Sequence, residues 1–290
     1  MNLPVLPQHS EHPRQYEQNR FAYPVLSRRS RGISIGVNLN PDKVCNFDCI
    51  YCQVDRRSEA ETKFVELDRL VEEVDDLLRH VSSGRIWNEP KFAGVPDELR
   101  RLNDIAFSGD GEPTTYRNFD EIVSRVAGIK RDQRLPDAKL VLITNASMFH
   151  RPAVRDGLAI LDRNNGEIWA KLDAGTEPYY HLIERTKIPF ERILENITQA
   201  ARVRPLVIQS LFMRVDGEAP PGAEIDSYLE RLRQFASAGG QIKLVQVYTV
   251  ARRPAEAFVS PLSPTEVDAI AERVEREAGL PVERYYGVEV

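Results

Sequence analysis

Cysteine is scarce in this chain: 290 residues hold only three. All of them fall in one short stretch, Cys45-Asn46-Phe47-Asp48-Cys49-Ile50-Tyr51-Cys52. An odd, clustered set excludes the disulfide framework that staples small secreted domains. Long apolar runs are missing too, and with no stretch of about 18 such residues no membrane span is expected. The opening residues, MNLPVLPQHSEHPRQYEQNR, lack the apolar core of a signal peptide and read as no transit peptide either. Nor is there an excess of positive charge. The net charge is −5, so no global field draws the chain to nucleic acid, although a local basic patch stays open. What is present is ordinary for a globular protein, and the length admits two domains or one α/β barrel.

Three thiols at C-x3-C-x2-C spacing outline a metal site. A structural zinc site needs four closed ligands. No fourth cysteine exists, and the nearest later histidine is His80. Three thiols packed as small apolar groups are the bland alternative, a poor match to such tight clustering. Iron–sulfur clusters take soft thiolate ligands. A [4Fe–4S] cube has four irons, so three cysteines leave one iron open to a substrate or cofactor. Reduced thiols and an oxygen-sensitive cluster lead to an expected location in the cytoplasm.

The remaining chain alternates strands and helices. Strands are expected at Ile33–Asn38, Asp104–Phe107, Lys139–Thr144, Glu167–Asp173, Pro205–Phe212 and Gln241–Val250. Helices are expected at Glu66–His80, Phe119–Ile129, about Ala153–Leu161, Pro189–Val203, Glu224–Ala236 and Pro264–Ala278, with Ser263 as an N-cap. The tail PVERYYGVEV is a further strand candidate. Six strands alternating with helices predict parallel βαβ units, an α/β fold. In barrels of this kind the chemistry sits at the carboxyl ends of the strands. Three segments follow: an N-terminal arm over 1–31, rich in Pro, Gln and Arg, a barrel over 32–250, and a C-terminal helix and tail over 251–290. The arm is expected to pack on the barrel in preference to binding RNA.

The stretch NPDKVCNFDCIYC after the first strand, followed by SGDGEP after the second, resembles the radical S-adenosylmethionine (SAM) superfamily. The family's Gly-Gly-Glu-Pro is here Gly109-Asp110-Gly111-Glu112-Pro113, a small departure. The segments ITNAS and KLDAGTEPYYHLIERT resemble uncharacterised Fe–S oxidoreductases related to the wyosine-forming tRNA enzymes. The resemblance implies a partial (β/α)6 TIM-like barrel and a [4Fe–4S] cluster on Cys45, Cys49 and Cys52. It implies SAM at the open iron and reductive cleavage to a 5′-deoxyadenosyl radical that abstracts hydrogen from substrate. Gly109–Pro113 would set bare backbone against the methionine end of SAM, with Glu112 bracing the loop. Tyr51 stands where the family has an aromatic near the adenine. An ordinary strand-to-helix turn and simple packing are the plain alternatives for these two.

Asn145, which ends the third strand, is a further candidate SAM contact, and Lys171 and Asp173 end the fourth on one face. Lys171 is a candidate partner of the SAM carboxylate and Asp173 of the ribose hydroxyls. A Lys–Asp pair closing the barrel mouth is the equal alternative. His181, Glu184 and Arg185 are candidate substrate contacts, with a solvated helix face preferred. Lys171, Arg185, Arg214, Arg252 and Arg253 together suggest an anionic substrate, a nucleotide or tRNA first. A one-electron reductant such as flavodoxin or ferredoxin is the expected partner. Two other readings stay open: an electron-transfer or structural Fe–S protein that never cleaves SAM, and a glycyl-radical-activating enzyme.

Overall fold

The computed structural model describes residues 14, 16–56, 58–60, 62–252 and 254–287. They fall into two compact units. One is built from residues up to Cys45, Arg56–Ile143 and Arg151–Glu167, the other from Asn46–Asp55, Thr144–His150 and the chain from Ile168 onward.

In the first unit β1 (Ala22–Ser27) lies antiparallel to β2 (Gly32–Val37), and β3 (Leu102–Phe107) and β4 (Lys139–Thr144) follow in parallel. All six residues of β2 are buried, which is why GISIGV shows no polar alternation. Helix α1 (Leu67–Ser82) buries Leu70, Val74, Leu77, Leu78 and Val81, the stripe that a 3.6-residue period puts on one face. Helices α2 (Phe119–Asp132) and α3 (Pro152–Asp162) complete the unit. Strand β1 lies inside the stretch read as an arm. It is short and interrupted by Pro24, which an edge strand tolerates, so periodicity did not expose it. Residues 1–13 and 15 lie outside the described residues.

Buried Glu73 of α1 anchors that strand. Its carboxylate accepts from the backbone N–H of Arg20 (3.0 Å), Phe21 (2.7 Å) and Ala22 (3.1 Å), and from Arg69 Nε (3.0 Å). Glu73→Ala leaves buried N–H groups without an acceptor. We expect a loss of about 2–4 kcal/mol, read from the urea midpoint, from two or more such groups at about 1–3 kcal/mol each. A change below about 0.5 kcal/mol, the level of a neutral surface site, would refute the anchoring role.

In the second unit β5 (Gly166–Lys171), β6 (Leu206–Leu211), β8 (Ile242–Tyr248) and β10 (Val282–Tyr285) pair in parallel in that order. β10 is the strand expected in the tail. A separate antiparallel pair, β7 (Met213–Val215) with β9 (Val259–Pro261), has three residues a side, too few for a sequence period to show. Helices α4 (Glu177–Glu184), α5 (Phe190–Val203), α6 (Gly222–Ser237) and α7 (Pro264–Arg273) accompany them. Ser263 caps α7 as expected, in a capping box with Glu266. The helix expected through Ala278 changes to a single π turn at Val274–Ala278. Among the described residues no helix is long and apolar enough to cross a membrane.

Candidate functional site

The cysteine loop is held by backbone bonds and by amide side chains. Asp48 and Ile50 N–H donate to the carbonyls of Glu184 (3.1 Å) and Ile183 (2.9 Å) at the end of α4. Cys52 N–H donates to Cys49 O (2.9 Å), and Ala255 N–H to Cys52 O (3.1 Å). Asn145 Nδ2 donates to Asn46 Oδ1 (2.9 Å), and Asn46 Nδ2 donates to Ser147 Oγ (2.7 Å). Asn145, expected as a SAM contact, braces the cysteine loop through Asn46. Ser147, Asn46 and Thr186, whose hydroxyl donates to Asn46 O (3.0 Å), were not foreseen. Pairs 99 to 140 positions apart in the chain leave no local signal.

Cys45, Cys49 and Cys52 are all half-buried and outside any disulfide. Their chemistry fits an iron–sulfur cluster, being all-sulfur and soft. Among the described residues no three ligating side chains stand close enough to share one metal ion. A cubane does not ask for that, because each thiolate takes a different iron.

Behind the loop, in the second unit, lies a buried polar network. Lys171 Nζ is 3.0 Å from Asp173 Oδ2, donates to Tyr248 Oη (3.0 Å), and sits 4.8 Å from the Tyr51 ring centroid. Tyr51 Oη donates to Asp173, whose other oxygen accepts from Leu211 N–H (2.7 Å). The Cys49 thiol donates to Glu184 Oε2 (2.6 Å). The Lys171–Asp173 ion pair weighed from the sequence is thus formed. Burial alone would lower the Lys171 ammonium, but Asp173, Tyr248 and Glu184 outweigh it and hold it above its ordinary range, firmly charged. Burial, and then the neighbouring Asp173 carboxylate, push the Glu184 carboxyl up to about 8. Burial and Glu184 also raise the Cys49 thiol. Tyr51 is packed with Ile50, Ile183, Leu211, Met213 and Tyr248.

Glu184 requires a correction. It was expected on a solvated face, but it closes α4 at 3% exposure and faces Cys49. His181, three residues earlier, is exposed and pairs within its helix with Glu177 (3.7 Å). The arginines also carry less free charge than expected. Arg185 pairs with Glu256 (2.5 Å), and Arg214 pairs with Glu266 (2.5 Å) and donates to Gly217 O (2.7 Å). Arg252 accepts from Gln53 Nε2 at its carbonyl (3.1 Å). Arg253 lies outside the described residues.

The Gly109–Pro113 loop belongs to the first unit. A Cβ on Gly109 would stand 2.3 Å from Asn38 Oδ1, and one on Gly111 2.3 Å from the Val44 carbonyl oxygen. At Gly111 only glycine permits this approach of two backbones, and at Gly109 it leaves room for the Asn38 side chain. Asp110 is fixed on three sides. Its N–H donates to Asn38 Oδ1 (3.1 Å), its carboxylate accepts from Asn38 Nδ2 (2.7 Å), and it pairs with Arg14 of the arm. Glu112 is buried and accepts from Thr114 N–H (3.1 Å) and from the Thr114 hydroxyl. It caps the 3₁₀ turn that begins at Pro113, the bracing role read from the sequence.

Comparison with known proteins bears on these residues. The sequence model of the Radical SAM superfamily matches residues 39–220, more than half of the chain. The chain therefore belongs to the radical SAM superfamily. The match supports an enzyme of that class, its reaction unspecified. A protein named GTPase Obg from Brachyspira hyodysenteriae is 24% identical over 202 residues, 69% of this chain and 26% of that protein. A UPF0026 protein of Methanocaldococcus jannaschii is 28% identical over 179 residues, 60% of this chain and 47% of that protein. The chain thus spans between about a quarter and a half of these curated relatives. A radical SAM methyltransferase from Sphaerobacter thermophilus superposes with a TM-score of 0.60 at 14% identity, over 88% of this chain and 66% of that one. At that identity the likeness concerns the fold alone, an α/β partial barrel of the TIM-like, radical SAM type.

Proposed function

We propose that this chain reductively cleaves SAM at a [4Fe–4S] cluster held by Cys45, Cys49 and Cys52, and uses the resulting radical to abstract hydrogen from a substrate. The observation that carries the proposal is the all-cysteine loop, fastened by Asn145, Ser147 and the end of α4. When bound, the cluster and SAM supply the one-electron cleavage and the 5′-deoxyadenosyl radical; the protein supplies position and exclusion of water. Gly109–Pro113 is proposed to receive the methionine end of SAM. Lys171 and Asp173 are proposed to position Tyr51, in preference to contacting SAM, because each already meets the other's charge. A flavodoxin or ferredoxin is the proposed electron source, and the cytoplasm the proposed setting.

The test is anaerobic incubation of the reduced, reconstituted protein with SAM. SAM is expected to change the EPR signal of the reduced cluster and to yield 5′-deoxyadenosine. An unchanged spectrum at saturating SAM, with no 5′-deoxyadenosine, would favour an electron-transfer protein. For the substrate we propose a nucleotide or tRNA. Arg185 and Arg214 keep N–H donors beyond the bonds they make, and Arg252 follows β8. Bulk tRNA is expected to stimulate 5′-deoxyadenosine formation in a salt-sensitive way, and less so in Arg252→Ala. Stimulation by peptides alone would favour a glycyl-radical-activating role.

A further inference from the structure

Residues 18–41 hold four arginines, Arg20, Arg28, Arg29 and Arg31, and no carboxylate, in a chain whose net charge is −5. Three of the four fall in the turn between β1 and β2, Ser27-Arg28-Arg29-Ser30-Arg31. The turn is closed by Arg31 N–H donating to Ser27 O (2.9 Å) and by Ser30 N–H donating to Ser27 Oγ (3.2 Å). Another arginine joins them from the residue before β3. Ile33 N–H donates to Arg101 O (2.8 Å), and Arg101 Nε donates to Arg31 O (3.2 Å). Gly32 makes room for this, since a Cβ there would stand 2.7 Å from Arg101 O. Arg31 and Arg101 are both exposed.

Like charges gathered on one short turn repel one another, which weakens the fold and favours an anionic partner. The carboxylates of the neighbouring elements leave most of this charge in place. In the segment before β3, Asp97 pairs with Arg100 (3.1 Å), and Glu98 is the remaining acid. Glu167 pairs with Lys139 (3.0 Å). Asp104 of β3 is buried and accepts from the Ser34 hydroxyl, and burial pushes its carboxyl up, toward the neutral form. On the turn and the segment before β3, Arg28, Arg29, Arg31 and Arg101 therefore stand against Glu98. The turn also sits at the rim of the sheet, because β1 is an edge strand.

We propose that the β1–β2 turn, through Arg28, Arg29, Arg31 and Arg101, binds the phosphate backbone of a structured RNA. Guanidinium groups grip phosphate through paired N–H donors and hold it without reading sequence. The proposal rests on the reading of a nucleotide or tRNA as substrate, and it decides between the two. Strand β2, six residues at about 3.3 Å each, carries the chain about 20 Å from the turn to the segment that enters the cysteine loop. A free nucleotide at the cysteine loop does not reach back that far, whereas a folded RNA does. The turn orients an RNA whose reacting nucleotide lies elsewhere.

The test is equilibrium binding of the anaerobically reconstituted chain to bulk tRNA, to AMP and to polyglutamate, measured by calorimetry over about 50–200 mM salt. In the triple variant Arg28→Gln, Arg29→Gln, Arg31→Gln, tRNA binding is expected to weaken about tenfold or more at the lower salt, and the slope of log K against log salt to become shallower by about 2–3. AMP affinity, and the 5′-deoxyadenosine formed from SAM without RNA, should match wild type, since the turn stands away from the cysteine loop. Arg31→Gln alone should make the slope shallower by about 1, and it decides should the triple variant not fold. Unchanged tRNA affinity and salt slope in the variants overturn the inference and leave the tRNA reading intact. Loss of polyglutamate binding with tRNA binding unaffected would assign the turn to an acidic protein and likewise overturn it. Wild type that binds no tRNA removes the tRNA reading and the inference with it.

Discussion

Replacing any one of Cys45, Cys49 or Cys52 with Ala is expected to remove the iron–sulfur cluster or leave it labile. Iron and sulfide, at about four each per reconstituted wild-type chain, should fall toward zero after desalting. The effect is large because each thiolate serves its own iron, and the chain has no other cysteine to substitute. The fold should survive these changes. All three thiols are half-buried, and the loop is tied through backbone groups and through Asn46, none of which the substitution removes. Circular dichroism of the apoproteins is the control. Zinc at one per chain in natively purified protein, with no cluster after reconstitution, would overturn the site.

Asp173→Ala is expected to have the largest effect on stability. Its side chain is wholly buried and meets Lys171 (3.0 Å), the Tyr51 hydroxyl and Leu211 N–H (2.7 Å). Truncation leaves a buried ammonium without its counter-charge. Breaking one side of such a pair costs about 3–5 kcal/mol, which corresponds to a melting temperature lower by roughly 10 °C in a chain of this size. Removing both charges at once, in Lys171→Met with Asp173→Leu, should recover much of the loss, since desolvation of the pair offsets most of its attraction. A single Asp173→Ala change below about 1 kcal/mol would show that the network is not what holds Tyr51 in place. A double variant no better than the single one would place the stabilisation in the hydrogen bonds to Tyr51 and Leu211 instead of in the charge balance.

Two buried polar residues were hidden from the sequence for different reasons. Glu184 ends EPYYHLIE, a segment of mixed polarity that looks like a solvated helix end. Its burial comes from the cysteine loop pairing with the α4 terminus, and Cys49 lies 135 positions earlier in the chain. Asn40 lies in NLNPDK, a stretch that any turn would explain. Its amide donates to Thr115 Oγ1 (3.1 Å), 75 positions away. The arginines show the reverse case. Their charge was legible, but the carboxylates that neutralise Arg185 and Arg214 stand 71 and 52 positions away.

The sequence by itself determined what depends on neighbours along the chain. The apolar run KLVLIT became β4 at Lys139–Thr144, the stripe of α1 became its buried face, and Ser263 became the cap of α7. The C-x3-C-x2-C stretch, with SGDGEP after the second expected strand, likewise carried the resemblance to the family. Only the tertiary structure decided the partners of charged and amide groups: Lys171 with Asp173, Glu184 with Cys49, Glu73 with the start of β1, and the Asn40 amide with Thr115. The physical reason is range. Periodicity and capping are set by backbone geometry over a few residues, whereas the pairing of a buried polar group is set by whichever distant segment packs against it and excludes water.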